Sequence, residues 1–260
     1  MRKWLAILIF CLGLGVIGYP AANNLVTGWR QEGVLSAYKS QLKTASASQL
    51  RALKRALQRQ ETVNKRQARD PFKTGTERFL ETTPLALVAI PGIDVELPVF
   101  EGTSEKVLQK YAGLVQGTDM PQGKKNQHSL ITAHRGLTGN QLFTDLWRVE
   151  KGDRFYLKNA YGMMTYKVTG ARKVKANTSR PIQRDATKNQ VTLMTCTPYM
   201  INTHRLLVTG HKIPNEVEKI PEGKLVWDWY KVMLVVLVGI LFVWGMWAVI
   251  RYNHRAKGEI

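Results

Sequence analysis

The sequence brings a thiol and an arginine to the ends of two neighbouring strand-like runs. Cys196 ends the run 191–196, and Arg205 begins the run 205–210 after a short loop. If the two runs pair as a hairpin, the thiol and the guanidinium lie side by side at one rim of a sheet. Such a pair is typical of a cysteine nucleophile with a cationic group beside it.

For Cys196 and for Arg205, the sequence alone leaves two alternatives open. The chain has two cysteines, and Cys11 lies in an apolar N-terminal segment far from Cys196, so we expect no disulfide. Cys196 is then either an inert buried side chain or a nucleophile. Arg205 is either a surface charge or a donor to a substrate oxyanion, since a guanidinium stays protonated and cannot act as a base.

A thiol nucleophile needs a base, and the chain has five histidines. Three of them are poorly placed: His204, His211 and His254. The first adjoins Arg205 and would point to the opposite face of its strand. His211 lies at a strand end well past Arg205, and His254 lies in the tail that we expect in the cytoplasm. His128 and His134 flank the run 129–133, and the Gly-containing loop that His134 opens favours it only modestly over His128. The histidines lack the ligand spacing of a zinc site, and we expect neither a metal nor a cofactor.

The elements that must position these side chains change character near residue 85. Residues 31–69 contain no proline, and their apolar spacing predicts two helices separated around 44–48, with Ser48 as the N-cap of the second. From Leu85 onward, short β-rich runs alternate with Gly and Pro, which predicts an all-β barrel or sandwich. The stretches 104–111 and 142–147 predict single helical turns.

Both ends of the chain carry apolar segments that predict membrane attachment. Residues 232–250 match the ~20 residues that span a bilayer as a helix, and aromatic residues flank them. The basic residues after this span put the tail 251–260 in the cytoplasm. The segment 4–18 follows Arg2 and Lys3 and is either a signal peptide or a signal anchor. The domain between the two segments is therefore expected outside the cell membrane.

The charge of the chain favours anionic partners of a general kind. The formal net charge is +19, which suits a domain beside an anionic membrane or wall. The sequence has no helix-turn-helix, zinc-finger or aromatic-rich RNA-reading pattern, so we expect no nucleic-acid partner.

Five stretches together resemble the sortases, the cell-wall transpeptidases of Gram-positive bacteria. They are TLMTCTPYMINTHRLLVTG (192–210), IPGIDVELPV (90–99), GTDMP (117–121), HSLITAHRGL (128–137) and LFTDL (142–146). The residues after Cys196 resemble the class C, pilus-building group. The resemblance implies a closed eight-stranded β-barrel with Cys196 as nucleophile, His134 as general acid and base, and Arg205 as stabiliser of the oxyanion or substrate.

The resemblance also implies a reaction and a cover for the site. Sortases cleave an LPxTG-like sorting signal between Thr and Gly through a thioacyl intermediate, and class C members pass the acyl group to a lysine of another pilin. Asp70, Pro71 and Phe72 match the lid motif of that group. In this role Asp70 would pair with Arg205, and the ring of Phe72 would cover the thiol of Cys196.

These inferences predict an order of segments along the chain. We expect an N-terminal signal anchor or signal peptide (1–22), a helical region (23–69), a lid loop (70–76), a sortase-type β-barrel (77–215), a linker (216–231), a transmembrane helix (232–250) and a cytoplasmic tail (251–260). The alternatives are a housekeeping sortase that anchors surface proteins to peptidoglycan, a thiol hydrolase, and a non-catalytic membrane-anchored β-domain.

Overall fold

The computed structural model describes residues 31–63, 83–136, 141–176, 184–199 and 201–215, together with residues 13, 220–221, 239 and 245. For residues 59–63 it describes the backbone alone. The chain divides into two compact units, Met1–Lys224 and Leu225–Ile260. All contacts given below lie within the first unit.

Eight strands form a closed barrel. They are β1 (Ala86–Ile90), β2 (Val95–Glu101), β3 (Ala112–Leu114), β4 (Gln127–Thr132), β5 (Arg154–Asn159), β6 (Gly162–Lys175), β7 (Asn189–Thr197) and β8 (His204–Ile213). Around the barrel their order is β1-β2-β3-β4-β7-β8-β6-β5, and β5 pairs with β1 to close it. The prediction of an all-β, eight-stranded closed barrel is confirmed. Closure leaves no exposed sheet edge.

Alternation along the strands separates an inner from an outer face. Ile131 of β4, Leu193 of β7 and Val208 of β8 are fully buried in the main core cluster. Their chain neighbours Met194 and Leu207 belong to a separate cluster, because successive side chains of a strand point to opposite faces. The central strand β7 therefore has a packed inner face and an outer face on which other side chains meet.

The helices before the barrel cover the wall opposite β7. The first helix (α1) is described over residues 31–44, and Leu35 and Tyr38 in it pack on Leu87 of β1. The second helix (α2) spans Ala47–Val63 and places Leu57 in the main core. β1 lies four strands from β7 in either direction around the barrel. The first helix also reaches the connection between β2 and β3, because Val34 packs against the cluster of Phe100, Val107 and Leu108.

The predicted break between the two helices is confirmed, but its predicted cap is wrong. The second helix begins at Ala47, so the N-cap is Ser46 and not Ser48. Ser46 Oγ accepts from the backbone N–H of Gln49 at 3.3 Å, and Gln49 Oε1 accepts from the N–H of Ser46 at 2.8 Å. This reciprocal pair is a capping box, which satisfies two donors where a cap at Ser48 would not.

Three short helical segments lie in the described connections. A 3-10 turn spans Pro91–Ile93 between β1 and β2, and the other two lie where the sequence predicts helical turns. A third helix (α3, Glu105–Leu108) joins β2 to β3, and a 3-10 turn spans Leu146–Arg148. The predicted lid loop 70–76 lies outside the described residues, and so does the predicted transmembrane segment 232–250 except for residues 239 and 245. Within the part of the chain that is described, no helix is both long enough and apolar enough to cross a membrane.

Candidate active site

The pairing of β7 with β8 places the thiol directly beside the arginine. The two strands are antiparallel, and Cys196 is the register partner of Arg205. Both residues are buried, at 5% and 6% exposure. Directly paired residues of neighbouring strands point to the same face. The hairpin predicted from the sequence is therefore present, and it brings the thiol and the guanidinium together.

The pairing of β4 with β7 places His134 on the other side of the thiol. These strands are parallel, with Thr132 opposite Met194. The N–H of Ala133 donates to the carbonyl of Met194 at 3.2 Å, so the pairing continues past the end of β4. Two residues beyond Thr132 and Met194, the same register aligns His134 with Cys196. Cys196 on the central strand thus lies between His134 and Arg205 in one row.

This row lies on the outer face of the barrel at its rim. Cys196 lies two residues after Met194 and therefore shares its outward direction. Arg205 and Leu207 are related in the same way on β8, and Leu207 packs with Met194 on that face. The row is therefore reached from outside the barrel, while the inner face below it stays packed.

Two hydrogen bonds tie the end of β4 to the residues that flank the thiol. Thr195 Oγ1 donates to the carbonyl of Ala133 at 2.9 Å. Arg135 Nη1 donates to Thr197 Oγ1 at 3.0 Å. These bonds lie on either side of Cys196 and extend the contact between the strands beyond their regular ladder. They fix the segment that carries His134 against the segment that carries Cys196.

Arg205 is held at the rim by the loop between β7 and β8. Its Nη1 donates to the carbonyl of Asn202 at 2.9 Å and to that of His204 at 3.1 Å. Asn202 has a φ of 58°, in the left-handed region that asparagine tolerates better than most residues. The N–H of Asn202 donates to the carbonyl of Pro198 at 3.0 Å, which closes the loop. The guanidinium is thereby restrained close to Cys196.

His134 is partly buried, and its charge state depends on three neighbours. Burial lowers the pKa of His134 below its ordinary value, the positive charge of Arg205 lowers it further, and the carboxylate of Glu105 opposes both effects. Nε2 of His134 lies 3.7 Å from Oε2 of Glu105, an ion-pair distance too long for a direct hydrogen bond. Burial and the charge of Arg205 therefore favour the neutral imidazole in the resting enzyme.

The structure decides between His134 and His128. Nε2 of His128 lies 2.8 Å from Thr192 Oγ1, which in turn lies 2.8 Å from Thr209 Oγ1. Thr192 precedes Cys196 by four residues, or about 13 Å along an extended strand. His128 therefore lies far from the thiol, whereas the register brings His134 beside it.

The histidine after the loop faces away from the row, as predicted. His204 is the register partner of Thr197, the residue after the cysteine. It therefore shares the opposite face with Thr197, and its Nδ1 lies 2.9 Å from Thr203 Oγ1.

Behind the row of His134, Cys196 and Arg205, the outer face is apolar next to the row and polar further away along β7. An apolar cluster comes directly behind the row, formed by Val115, Leu130, Met194 and Leu207. The polar chain of His128, Thr192 and Thr209 follows it. A peptide that runs along β7 toward the thiol would therefore meet an apolar floor close to the reacting group.

Sequence reasoning missed Glu105 and Arg135 as neighbours of the site. Glu105 lies in the predicted helical turn 104–111, and the pairing of β3 with β4 brings it to the rim. Arg135 follows His134 directly, and the pairing of β4 with β7 brings it to Thr197. The predicted lid residues Asp70, Pro71 and Phe72 lie outside the described residues.

Comparison with known proteins identifies close relatives of this fold and site. A family model described as the Sortase domain matches residues 88–213. The chain is similar to the crystal structure of sortase C-1 from Streptococcus pneumoniae, with a TM-score of 0.64 and 36% identity, covering 70% of this chain and 98% of that one. It is similar to sortase C2 of Group B Streptococcus pilus island 1, with a TM-score of 0.59 and 37% identity, covering 65% of this chain and 99% of that one.

A curated relative matches over a shorter segment. Sortase A of Bacillus anthracis is 30% identical over 132 residues, which make up 51% of this chain and 61% of that protein. The chain thus spans less than two thirds of the length of this relative.

Proposed function

Because the chain belongs to the sortase family, and within it to the class C group, we propose that it is a membrane-anchored transpeptidase that joins pilin subunits. In this proposal the chain cleaves LPxTG-like sorting signals between Thr and Gly and transfers the acyl group to a pilin lysine. The observation that carries the proposal is the row of His134, Cys196 and Arg205 on the outer face of three adjacent strands.

The first half of the reaction forms a thioester. The thiolate of Cys196 attacks the carbonyl carbon of the threonine in the sorting signal, and the carbonyl oxygen becomes an oxyanion. Arg205 donates hydrogen bonds to this oxyanion. His134 as imidazolium gives its proton to the leaving amine of glycine as the C–N bond breaks. The acyl group is then bound to Cys196, and His134 is neutral.

The second half consumes the thioester. The Nζ of an incoming lysine attacks the thioester carbon, and neutral His134 takes a proton from the attacking amine. The thiolate of Cys196 leaves, and an isopeptide bond remains between the two substrates. Cys196 is then a thiolate and His134 an imidazolium, which is the less populated protonation state of the resting enzyme and the one from which the cycle begins.

Two features support a peptide substrate on this face. The apolar cluster behind the row suits the Leu and Pro residues of an LPxTG-like signal, because apolar side chains gain free energy when buried against apolar surface. The relative from Group B Streptococcus is a sortase of pilus island 1, which supports pilins as the substrate class.

Two parts of the proposal rest on the sequence. The motif resemblance of Asp70, Pro71 and Phe72 supports a lid that blocks Cys196 until substrate displaces it. The apolar segments 4–18 and 232–250 support attachment to the cell membrane with the barrel outside and the C-terminal tail in the cytoplasm.

The lid is tested by the rate at which a small thiol reagent alkylates Cys196. We expect Asp70→Ala and Phe72→Ala to speed alkylation, because each removes one contact of the cover. Unchanged rates in both variants would remove the lid from the proposal.

The proposed activity is tested with the full chain, an LPxTG-type peptide and a purified pilin that presents a reactive lysine. We expect a peptide–pilin isopeptide product that Cys196→Ala abolishes and Cys11→Ala leaves intact. Cys11→Ala is a matched control, since the chain has two cysteines and this variant removes the other one. Product formed by Cys196→Ala would refute the assignment of Cys196 as the nucleophile.

The acyl acceptor decides between the two sortase alternatives. A parallel reaction offers a peptidoglycan-type amine, which is the acceptor expected for the housekeeping alternative. Transfer to that amine but not to the pilin lysine would refute pilus assembly and support the housekeeping alternative.

A further inference from the structure

An acidic side chain that the reaction above does not use lies against the catalytic histidine. Oε2 of Glu105 is 3.7 Å from Nε2 of His134. Arg205 and Cys196 lie toward the same histidine from β8 and β7. His134 is thus placed between the thiol and arginine on one side and a carboxylate on the other.

The fold fixes the position of the helix that carries Glu105. Its neighbours Val107 and Leu108 are buried and pack against Phe100 of β2. After this helix, β3 pairs antiparallel with β4, with Gly113 opposite Thr132. The residues that precede β3 therefore lie at the end of β4 from which His134 emerges.

Close backbone packing holds the same connection. A Cβ at Gly113 would lie 2.2 Å from the carbonyl oxygen of Gly102, so only glycine permits this approach. The N–H of Gly102 also donates to the carbonyl of Leu114 at 3.0 Å. The helix between these residues therefore has little freedom to move away from the rim.

The carboxylate itself is oriented by a second contact. Gln109 Nε2 donates to Oε1 of Glu105 at 3.3 Å, one helical turn further along. This contact restrains one carboxylate oxygen, and the other is the oxygen nearest His134. A nucleophile, a base and an oriented carboxylate next to the base form the arrangement by which triads fix an imidazole and stabilise its charged form.

We propose that Glu105 is a positioning residue of the catalytic site, which orients the imidazole of His134 and stabilises its imidazolium. The proposal deepens the proposed transpeptidase function and rests on it for its kinetic consequence.

The charges around His134 give the direction in which removal of the Glu105 charge shifts the pKa of His134. Burial and Arg205 both lower the pKa of His134, and Glu105 raises it. Other charged groups near this rim have partners of their own: Arg135 donates to Thr197, and Asp145 pairs with Arg148 at 3.6 Å. Removal of the Glu105 charge therefore lowers the pKa of His134 further and reduces the population of imidazolium.

The size of the effect is set by solvent exposure. The side chain of Glu105 is 68% exposed and that of His134 is 20% exposed. Water screens such a pair, so we expect Glu105→Gln to lower the pKa of His134 by about 0.2–0.7 unit, the size of an exposed ion pair. A substrate that excludes water from the rim strengthens the same interaction.

The test is a charge series at one position in the full chain. We titrate the imidazole of His134 by NMR in the native chain and in Glu105→Asp, Glu105→Gln and Glu105→Lys. The signal of His134 is identified by its loss in His134→Gln. The expected pKa falls in that order. Glu150→Lys is the matched control, because it makes the same charge change at an exposed turn before β5, three strands from β7 around the barrel.

The outcomes separate this proposal from the function it rests on. The role of Glu105 is overturned if the pKa of His134 is the same in all members of the series. It is also overturned if Glu150→Lys shifts this pKa as much as Glu105→Lys does. We also expect kcat/KM for transpeptidation to fall about two- to five-fold in Glu105→Gln and further in Glu105→Lys, with Glu105→Asp nearest the native value. If the native chain does not transfer peptide to lysine while the pKa series moves as expected, the proposed function fails and the coupling of Glu105 to His134 stands.

Discussion

Replacement of Arg205 by methionine separates the two effects of this side chain on the proposed chemistry. Arg205 lies beside Cys196 in register and is restrained by the carbonyls of Asn202 and His204. Methionine keeps much of the buried apolar stem but has no donor for an oxyanion. We expect a loss in kcat of about 10²–10³-fold, which is the effect of removing one oxyanion donor.

The same substitution shifts the titration of His134 in a defined direction. The positive charge of Arg205 lowers the pKa of His134. Its removal therefore raises that pKa and favours the imidazolium. Arg205→Lys keeps the charge, so it should leave the pKa near its native value. It lacks the planar fork of the guanidinium, so it should still lose much of the rate.

The assay combines steady-state peptide cleavage with the titration of His134 in the full chain. Arg154→Met is the matched control, because it removes an exposed arginine from β5, three strands from β7 around the barrel. A loss in kcat of less than about three-fold for Arg205→Met would refute Arg205 as the oxyanion donor. An equal loss in Arg154→Met would show that the effect is one of overall charge.

Three further substitutions test how the barrel holds the site. Thr197→Val removes the acceptor of Arg135 Nη1, and we expect kcat to fall by about ten-fold with an unchanged pKa of His134, because geometry alone is altered. Tyr166→Phe leaves Asn189 Oδ1 without the hydroxyl that donates to it at 2.7 Å, so thermal unfolding should show a loss of about 1–3 kcal/mol with cleavage unchanged. Gly136→Ala places a side chain at a φ of 79°, which should cost about 1–2 kcal/mol and slow cleavage by moving the loop after His134. Native behaviour in any of the three would contradict the contact concerned.

The pairing of Cys196 with Arg205 was predictable because it is local. Both runs are β-rich, a short loop joins them, and antiparallel neighbours in sequence commonly form hairpins. Strand alternation alone predicted that His204 would face away from the thiol, and its register partner Thr197 confirms this. Local pattern and local chemistry were sufficient for these residues.

The choice of His134 over His128 was not predictable from the residues alone because it depends on a long-range register. β4 and β7 are parallel strands far apart in sequence, and periodicity does not reveal which residues of two distant strands align. The family resemblance pointed to His134. The structure supplies the physical reason, because a register with Thr132 opposite Met194 aligns His134 with Cys196 and keeps His128 away.

Glu105 and β3 escaped prediction for a related reason. β3 spans Ala112–Leu114, and a segment this short gives no clear alternation. Without β3 there is no way to infer that the helical turn before it lies at the end of β4. The turn itself was predicted, but the contact of Glu105 with His134 is a property of the closed barrel.

The central claim is that Cys196 accepts the acyl group of a sorting signal and passes it to a lysine. The most direct measurement is the intact mass of the full chain mixed with an LPxTG-type peptide and then with the pilin. We predict a mass increase equal to the peptide up to its threonine, located on Cys196, sensitive to hydroxylamine and lost when the lysine-bearing pilin is added. No adduct on Cys196 during turnover, or an adduct that persists while isopeptide product accumulates, would contradict the account.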